Sequence, residues 1–166
     1  MAMRVACFVD GSNLYFTQKD LQWQVDFVKL RSYVDSLGEV VFCTYYVGES
    51  APPDVKEAGF QTFLMNNGYS LETKTVKEFT DEEGNIKKKA NLDIEIVLDM
   101  FNQIENYDLA VICSGDGDFI RPLQLLRARG KRFYILSSVK YAAREVRMLA
   151  GPDFKDIAKM QGQLAR

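Results

Sequence analysis

Leu109-Ala110-Val111-Ile112-Cys113-Ser114-Gly115-Asp116-Gly117-Asp118 runs from five apolar residues straight into a small, glycine-rich loop that carries two acids. A short continuous apolar run closed by a turn signal reads as a strand buried on both faces. Strands of that kind belong to parallel sheets covered by helices on either side. In an open parallel sheet, ligands bind outside the carboxyl ends of the strands. The two acids therefore stand where such a fold places its chemistry.

Working outward, the same pattern recurs. Val5 to Val9 is an apolar run ending at Asp10-Gly11-Ser12-Asn13, a buried strand followed by a polar loop. Phe27, Leu30, Val34 and Leu37 recur at helical spacing, and Gly38 follows as a stop. Val40 to Val47 is β-branched and aromatic, hence a second strand. Pro52, Pro53 and Asp54 open a helix to about Asn67, with Gly68 as its cap. Leu71 to Phe79 predicts a third strand nearer an edge, followed by a polar turn over Thr80 to Asn85 and by Lys87-Lys88-Lys89. A strong helix is expected from about Asn91 to Asn106, with Ile96, Val97, Met100, Phe101 and Ile104 as one apolar stripe. Beyond the decisive stretch, Asp118 to Ala128 predicts a helix ended by Gly130, Phe133 to Leu136 a fifth strand, and Lys140 to Leu149 a helix broken by Ala150-Gly151-Pro152. The tail from Asp153 says little beyond a small strand at Phe154 to Ile157.

Strands that alternate with helices define a three-layer α/β domain with a parallel sheet and helices on both faces. At 166 residues the chain suits one domain, with a core at about 4–150 and a short C-terminal tail at 151–166. Hydrophobic residues at 47% and aromatics at 12% are enough for a sizeable core. No apolar run reaches the ~18 residues of a membrane span. No signal segment is recognised, so a cytoplasmic product without a membrane partner is expected. Cys7, Cys43 and Cys113 each lie in an apolar run, at a spacing that fits neither a zinc site nor a redox motif, and are expected as buried, reduced thiols.

The sequence contains no histidine. Ser-His and Cys-His nucleophile pairs are thereby excluded, with His-based acid–base catalysis and most catalytic zinc sites. Hydrolysis would have to rest on carboxylates, Lys, Tyr or a hard metal ion. Net charge is only −2, but it is uneven. Phe119 to Arg147 holds Arg121, Arg127, Arg129, Lys131, Arg132, Lys140, Arg144 and Arg147 against Glu145 alone, so that segment carries +7 and the remainder −9. Such asymmetry suits an anionic partner, although a solvated helical face would look the same.

If the strand order is 3-2-1-4-5, strands one and four are neighbours and Asp10 faces Asp116 and Asp118. Asp93 arrives from another direction. At 100° per residue Val97 and Met100 fall near it on the helical wheel, so it heads the inward stripe, while Glu95 lies on the opposite side. The helix dipole explains an acid in a first turn but not one on the inward face. Asp99 lies off the stripe, where a supporting role and a plain surface acid are equally good readings. Carboxylates that converge must either bind protons or be neutralised by a cation. An oxygen-only pocket without His or Cys suits one or two Mg²⁺ or Mn²⁺ ions. Gly115 and Gly117 let the chain turn between the acids, and Asn13 and Ser114 are placed to support them by hydrogen bonds.

Three stretches resemble one known family. Phe8-Val9-Asp10-Gly11-Ser12-Asn13 is similar to its opening D-x-x-N motif, and Lys89-Ala90-Asn91-Leu92-Asp93 to its central motif, with Asp99 at the downstream acid. Ser114-Gly115-Asp116-Gly117-Asp118-Phe119 resembles its S-G-D-x-D-F signature, with Pro122-Leu123 and Gly130-Lys131 after it. The family is the NYN domain of the PIN-like nuclease superfamily, in its LabA-like branch. The resemblance spans about residues 4–150 and departs at Ala90, where Gly is frequent. It implies the strand order 3-2-1-4-5, a divalent-metal and catalytic site at Asp10, Asp93, Asp116 and Asp118, and action on RNA. It carries over Asn13 and Ser114 as supporting residues, and Lys89 as a phosphate contact.

The expected function is therefore metal-dependent hydrolysis of phosphodiester bonds in single-stranded RNA. Lys87, Lys88, Lys89, Arg121, Lys140, Arg144 and Arg147 would hold the backbone, and Tyr15, Phe16 and Tyr141 offer rings for base stacking. A homodimer is allowed. Two other classes compete. One is a regulatory module that binds RNA or protein with little or no catalysis. The other is a phosphoryl-transfer domain of receiver or haloacid-dehalogenase type, which would need its paired acid close to Asp10 instead of after strand four.

Overall fold

The computed structural model describes residues 1–166 apart from the side chains of Lys87, Lys88 and Lys89. Its centre is a six-stranded sheet built from β1 (Arg4–Asp10), β2 (Glu39–Glu49), β3 (Ser70–Thr75), β6 (Leu109–Cys113), β7 (Arg132–Ser137) and β8 (Phe154–Asp156), in the order β3-β2-β1-β6-β7-β8. Every pairing in it is parallel. A separate antiparallel hairpin joins β4 (Lys77–Thr80) to β5 (Ile86–Lys89).

The strands' alternation sorts the core. Val5, Cys7 and Val9 of β1 and Leu109, Val111 and Cys113 of β6 pack under α1 (Gly11–Leu21), α2 (Phe27–Asp35) and α3 (Val55–Asn66). Ala6, Phe8, Ala110 and Ile112 point to the other face, beneath α4 (Asp93–Asn102), α5 (Ile120–Ala128) and α6 (Arg144–Ala150). This is the three-layer α/β arrangement that continuous apolar strands imply, because a strand wet on one face would alternate in polarity. The three cysteines are free and buried.

The five expected strands keep the order 3-2-1-4-5 as β3-β2-β1-β6-β7, with two differences around them. The stretch expected as one strand from Leu71 to Phe79 divides in two. Thr75 pairs with Glu49, the last residue of β2, and the chain beyond it has no strand to extend along, so it turns into the hairpin. At the far edge β8 adds a sixth strand beside β7.

The tail also carries more than expected. Leu164, in α7 (Gln161–Leu164), is fully buried, its carbonyl accepts the N–H of Asp26 at 2.7 Å, and Ala165 bridges to Val25. Asp10-Gly11-Ser12-Asn13 is not a loop, since α1 begins at Gly11 directly after β1. That helix buries only Gly11, Leu14 and Thr17, so its periodicity is faint. The helices expected at Asn91, Asp118 and Lys140 begin at Asp93, Ile120 and Arg144, the second after a 3-10 turn over Gly117–Phe119. Among the described residues no helix is long and apolar enough to cross a membrane.

Candidate metal centre

β1 and β6 are neighbours in register, with Val9 opposite Cys113, so their carboxyl ends open side by side. Asp10 closes β1 and caps α1: its Oδ1 accepts the Asn13 N–H at 3.1 Å. The immediate turn into helix needs Gly11, where a Cβ would lie 2.6 Å from the Tyr46 carbonyl oxygen. From β6, the Ser114 hydroxyl donates to Asp10 Oδ2 at 3.0 Å and accepts the Asp116 N–H at 3.3 Å. Asn13 Oδ1 accepts the Gly115 N–H at 3.1 Å. Asp10, Asn13 and Ser114 thus form one network that locks the loop after β6 to the head of α1.

Gly115 is fitted as closely, since a Cβ there would meet Ala142 Cβ and Ser137 Oγ, both at 2.6 Å. Asp116 then caps the 3-10 turn, its Oδ1 accepting the Asp118 N–H at 2.9 Å. A turn by itself would explain both acids. It does not explain the third. Asp93, half-buried at the start of α4, is set by Asn91, whose Oδ1 accepts the Asp93 N–H at 2.8 Å. Asp93, Asp116 and Asp118 each bring a carboxylate oxygen within 4.8 Å of the others.

Asp10 lines the same cleft of about 450 Å³ but is not one of that trio, both its oxygens being turned to Asn13 and Ser114. Only 8% exposed, it titrates at about 6, pushed up by burial against the opposing pull of those two donors, with the charges of Asp93 and Asp116 adding to the rise. Asp99 stands behind the wall, accepting the Tyr46 hydroxyl at 2.7 Å, while Tyr46 itself faces the cleft. Glu95, expected on the solvated side of α4, is instead part-buried and paired with Lys74 at 2.7 Å. Tyr46→Phe removes the donor that Asp99 holds and is expected to cost about 1–2 kcal/mol of stability, read by urea denaturation.

The donor set fits a hard divalent cation. Every candidate ligand is a carboxylate oxygen, and Mg²⁺ holds oxygens at about 2.0–2.1 Å, so two on opposite sides of one ion are roughly 4 Å apart. The trio's oxygens all lie within 4.8 Å of one another, a limit slightly wider than that span.

Phe16 and Tyr141 line the cleft, whereas Tyr15 faces away from it. Among the described residues, Arg121, Lys140, Arg144 and Arg147 do not line it, and Lys140 is held by Asp20 of α1. The side chains of Lys87, Lys88 and Lys89 lie outside the described residues. Tyr46, Asn91, Ser12 and Gly48 line the cleft without having been singled out by sequence. A signal existed for Tyr46 and Gly48, which sit near the carboxyl end of β2. Gly48 also accounts for Ala90: a Cβ on Gly48 would lie 2.6 Å from that of Ala90, so this glycine leaves room for the alanine.

Fold and cleft together define an α/β domain with an oxygen-donor site at the carboxyl ends of its central parallel strands. The chain belongs to the NYN domain family, which matches residues 4–157. It is 40% identical over 148 residues to the low amplitude and bright protein LabA of Synechococcus elongatus, covering 87% of this chain and 78% of LabA. A crystal structure of a protein of unknown function from Vibrio parahaemolyticus shares the fold, with a TM-score of 0.75 over 90% of each chain at 22% identity.

Proposed function

We propose that this NYN domain is a Mg²⁺- or Mn²⁺-dependent ribonuclease that hydrolyses phosphodiester bonds in single-stranded RNA in the cytoplasm. One observation carries the reading: Asp93, Asp116 and Asp118 come from two separate elements and converge in one cleft. Membership of the NYN family supports RNA as the substrate. Asp93, Asp116 and Asp118 would hold the cation, with Asp10 behind them. A divalent ion so held polarises a phosphoryl oxygen and lowers the pKa of water. Asn13 and Ser114 keep Asp10 in place, and Asp99, through Tyr46, shapes the wall. Arg121, Lys140, Arg144, Arg147 and Lys87 to Lys89 would draw the RNA backbone towards the cleft, contacts that carry little sequence information.

Labelled single-stranded RNA incubated with the protein and Mn²⁺ is expected to be cut, and excess EDTA to stop the cutting. Cleavage undiminished in EDTA would sink the proposal. RNA binding that persists in EDTA, with no cutting under any divalent metal, would make the domain a binding module instead.

A further inference from the structure

A second concavity, about 990 Å³ against about 450 Å³ for the acidic cleft, lies between α1, α2 and α3. Part of its lining is core: Phe27 and Tyr45 are buried and meet Phe60 edge-on at 5.4 and 5.7 Å. The other rings keep exposed area, with Trp23 resting in part against the core. Phe63 is 41% exposed and lies nearly parallel to Phe60, Tyr15 is 53% exposed, and Trp23 is half-buried at the rim. Gln22 and Gln24 bring exposed side-chain amides to the same rim.

Lys19 and Arg166 are the cationic side chains of the lining. Among the described lining residues Asp26 is the one acid, and its Oδ1 is occupied by the N–H groups of Val28 and Lys29. Lys19 lies over the rings of Tyr15 and Phe16, 4.5 and 5.7 Å from their centroids.

The groove adjoins the acidic cleft across α1. Phe16 lines the cleft, Tyr15 lines the groove, and their rings touch edge to face at 5.4 Å. Tyr45, on the groove floor, presses against Gly11, the residue after Asp10.

Exposed ring faces, free amides and a cation make a surface for nucleotides. Bases stack on aromatic faces whatever their sequence, amides reach base edges, and an ammonium meets phosphate. An apolar helix seated there would strip water from the glutamines and Lys19 without replacing their hydrogen bonds. The volume lies within the range of small-ligand sites, enough for one or two nucleotides. We infer that this groove is a base-binding subsite for single-stranded RNA, receiving the nucleotides next to those held in the acidic cleft. The inference rests on the ribonuclease reading of that cleft.

Trp23 is the sole tryptophan, so its fluorescence reports on the groove directly. The experiment titrates single-stranded oligoadenylate RNA into the full chain in EDTA, following Trp23 emission and the anisotropy of a labelled copy. Saturable quenching is expected for the wild type. Phe63→Ala and Lys19→Gln, both at exposed positions, are each expected to weaken binding about 5-fold or more. If the RNA binds by anisotropy while Trp23 stays unchanged and Phe63→Ala binds like the wild type, the subsite is overturned and the ribonuclease reading stands. If cutting in Mn²⁺ is absent while the quenching and its loss in Phe63→Ala remain, the subsite is supported and the ribonuclease reading fails. A Trp23 change produced by raising protein concentration alone, with a dimer in sedimentation, gives the groove to a second copy and overturns the inference.

Discussion

Asp116→Asn, assayed on labelled single-stranded RNA in Mn²⁺, is expected to cleave roughly 10³-fold more slowly than the wild type, equivalent to about 4 kcal/mol of transition-state stabilisation. The substitution is chosen for what it leaves alone. Asparagine keeps the Oδ1 that accepts the Asp118 N–H, so the 3-10 turn over Gly117–Phe119 retains its cap. What disappears is one charge from a trio whose oxygens lie within 4.8 Å of one another. Asp93→Asn removes a charge from the same trio and is expected to lose a similar factor. Asp118 is the exposed member, with water at hand to replace its oxygen, so Asp118→Asn should lose less. Asp108→Asn is the control. Asp108 lies just before β6, at the opposite end of the sheet, and pairs with Arg4 at 2.8 Å. If Asp108→Asn slowed cleavage as much as Asp116→Asn does, the loss would reflect general destabilisation, and the assignment of the trio would fall.

The contrast between Asp93 and Asp10 shows what the sequence could express. Asp93 was legible because helical geometry is local: a residue heading an apolar stripe has to face the sheet, and its depth in the cleft follows. Asp10 was legible as a strand-ending acid, but its departure from the trio was not. That depends on Ser114, 104 positions away, reaching back to its second oxygen. α1 was missed because a helix that leaves Tyr15 and Phe16 exposed has little periodicity to read. The hairpin was merged with β3 because alternation continues across Thr75, and only the end of β2 at Glu49 decides where pairing stops. Buried strands such as Leu109 to Cys113 needed no such tertiary information, since both their faces are apolar whatever lies beside them. Lys140 illustrates the limit on charge: the +7 segment is visible in sequence, but its engagement with Asp20 on α1 is not.

Asp10 also makes the stability of the metal-free protein depend on pH in a direction opposite to that of most carboxylates. An acid stabilised in its charged form lends stability that is lost on acidification. Asp10 is held at about 6, above its ordinary 3.8, because burial outweighs the hydrogen bonds from Asn13 and Ser114. Between those two values the folded chain binds the proton that the unfolded chain has released. Its contribution is therefore complete below about pH 4, declines as pH rises, and is gone above about 6. Two pKa units correspond to roughly 3 kcal/mol. Asp10→Asn keeps the shape, and an oxygen for the Asn13 N–H, but cannot ionise. In EDTA near neutral pH it is expected to be more stable than the wild type by up to about 3 kcal/mol, and the difference should close as pH falls towards 4. Urea denaturation of both proteins across that range measures it, and other titrating groups such as Asp108 are common to both and cancel. Parallel profiles for the two proteins would show that Asp10 ionises without penalty. Adding Mn²⁺ near neutral pH should then stabilise the wild type more than Asp10→Asn: both keep the trio that would hold the ion, but a cation nearby also relieves a buried carboxylate and does nothing for an amide. That reversal, a site acid that weakens the empty fold and strengthens the occupied one, is the expected signature of a residue kept for binding at the expense of stability.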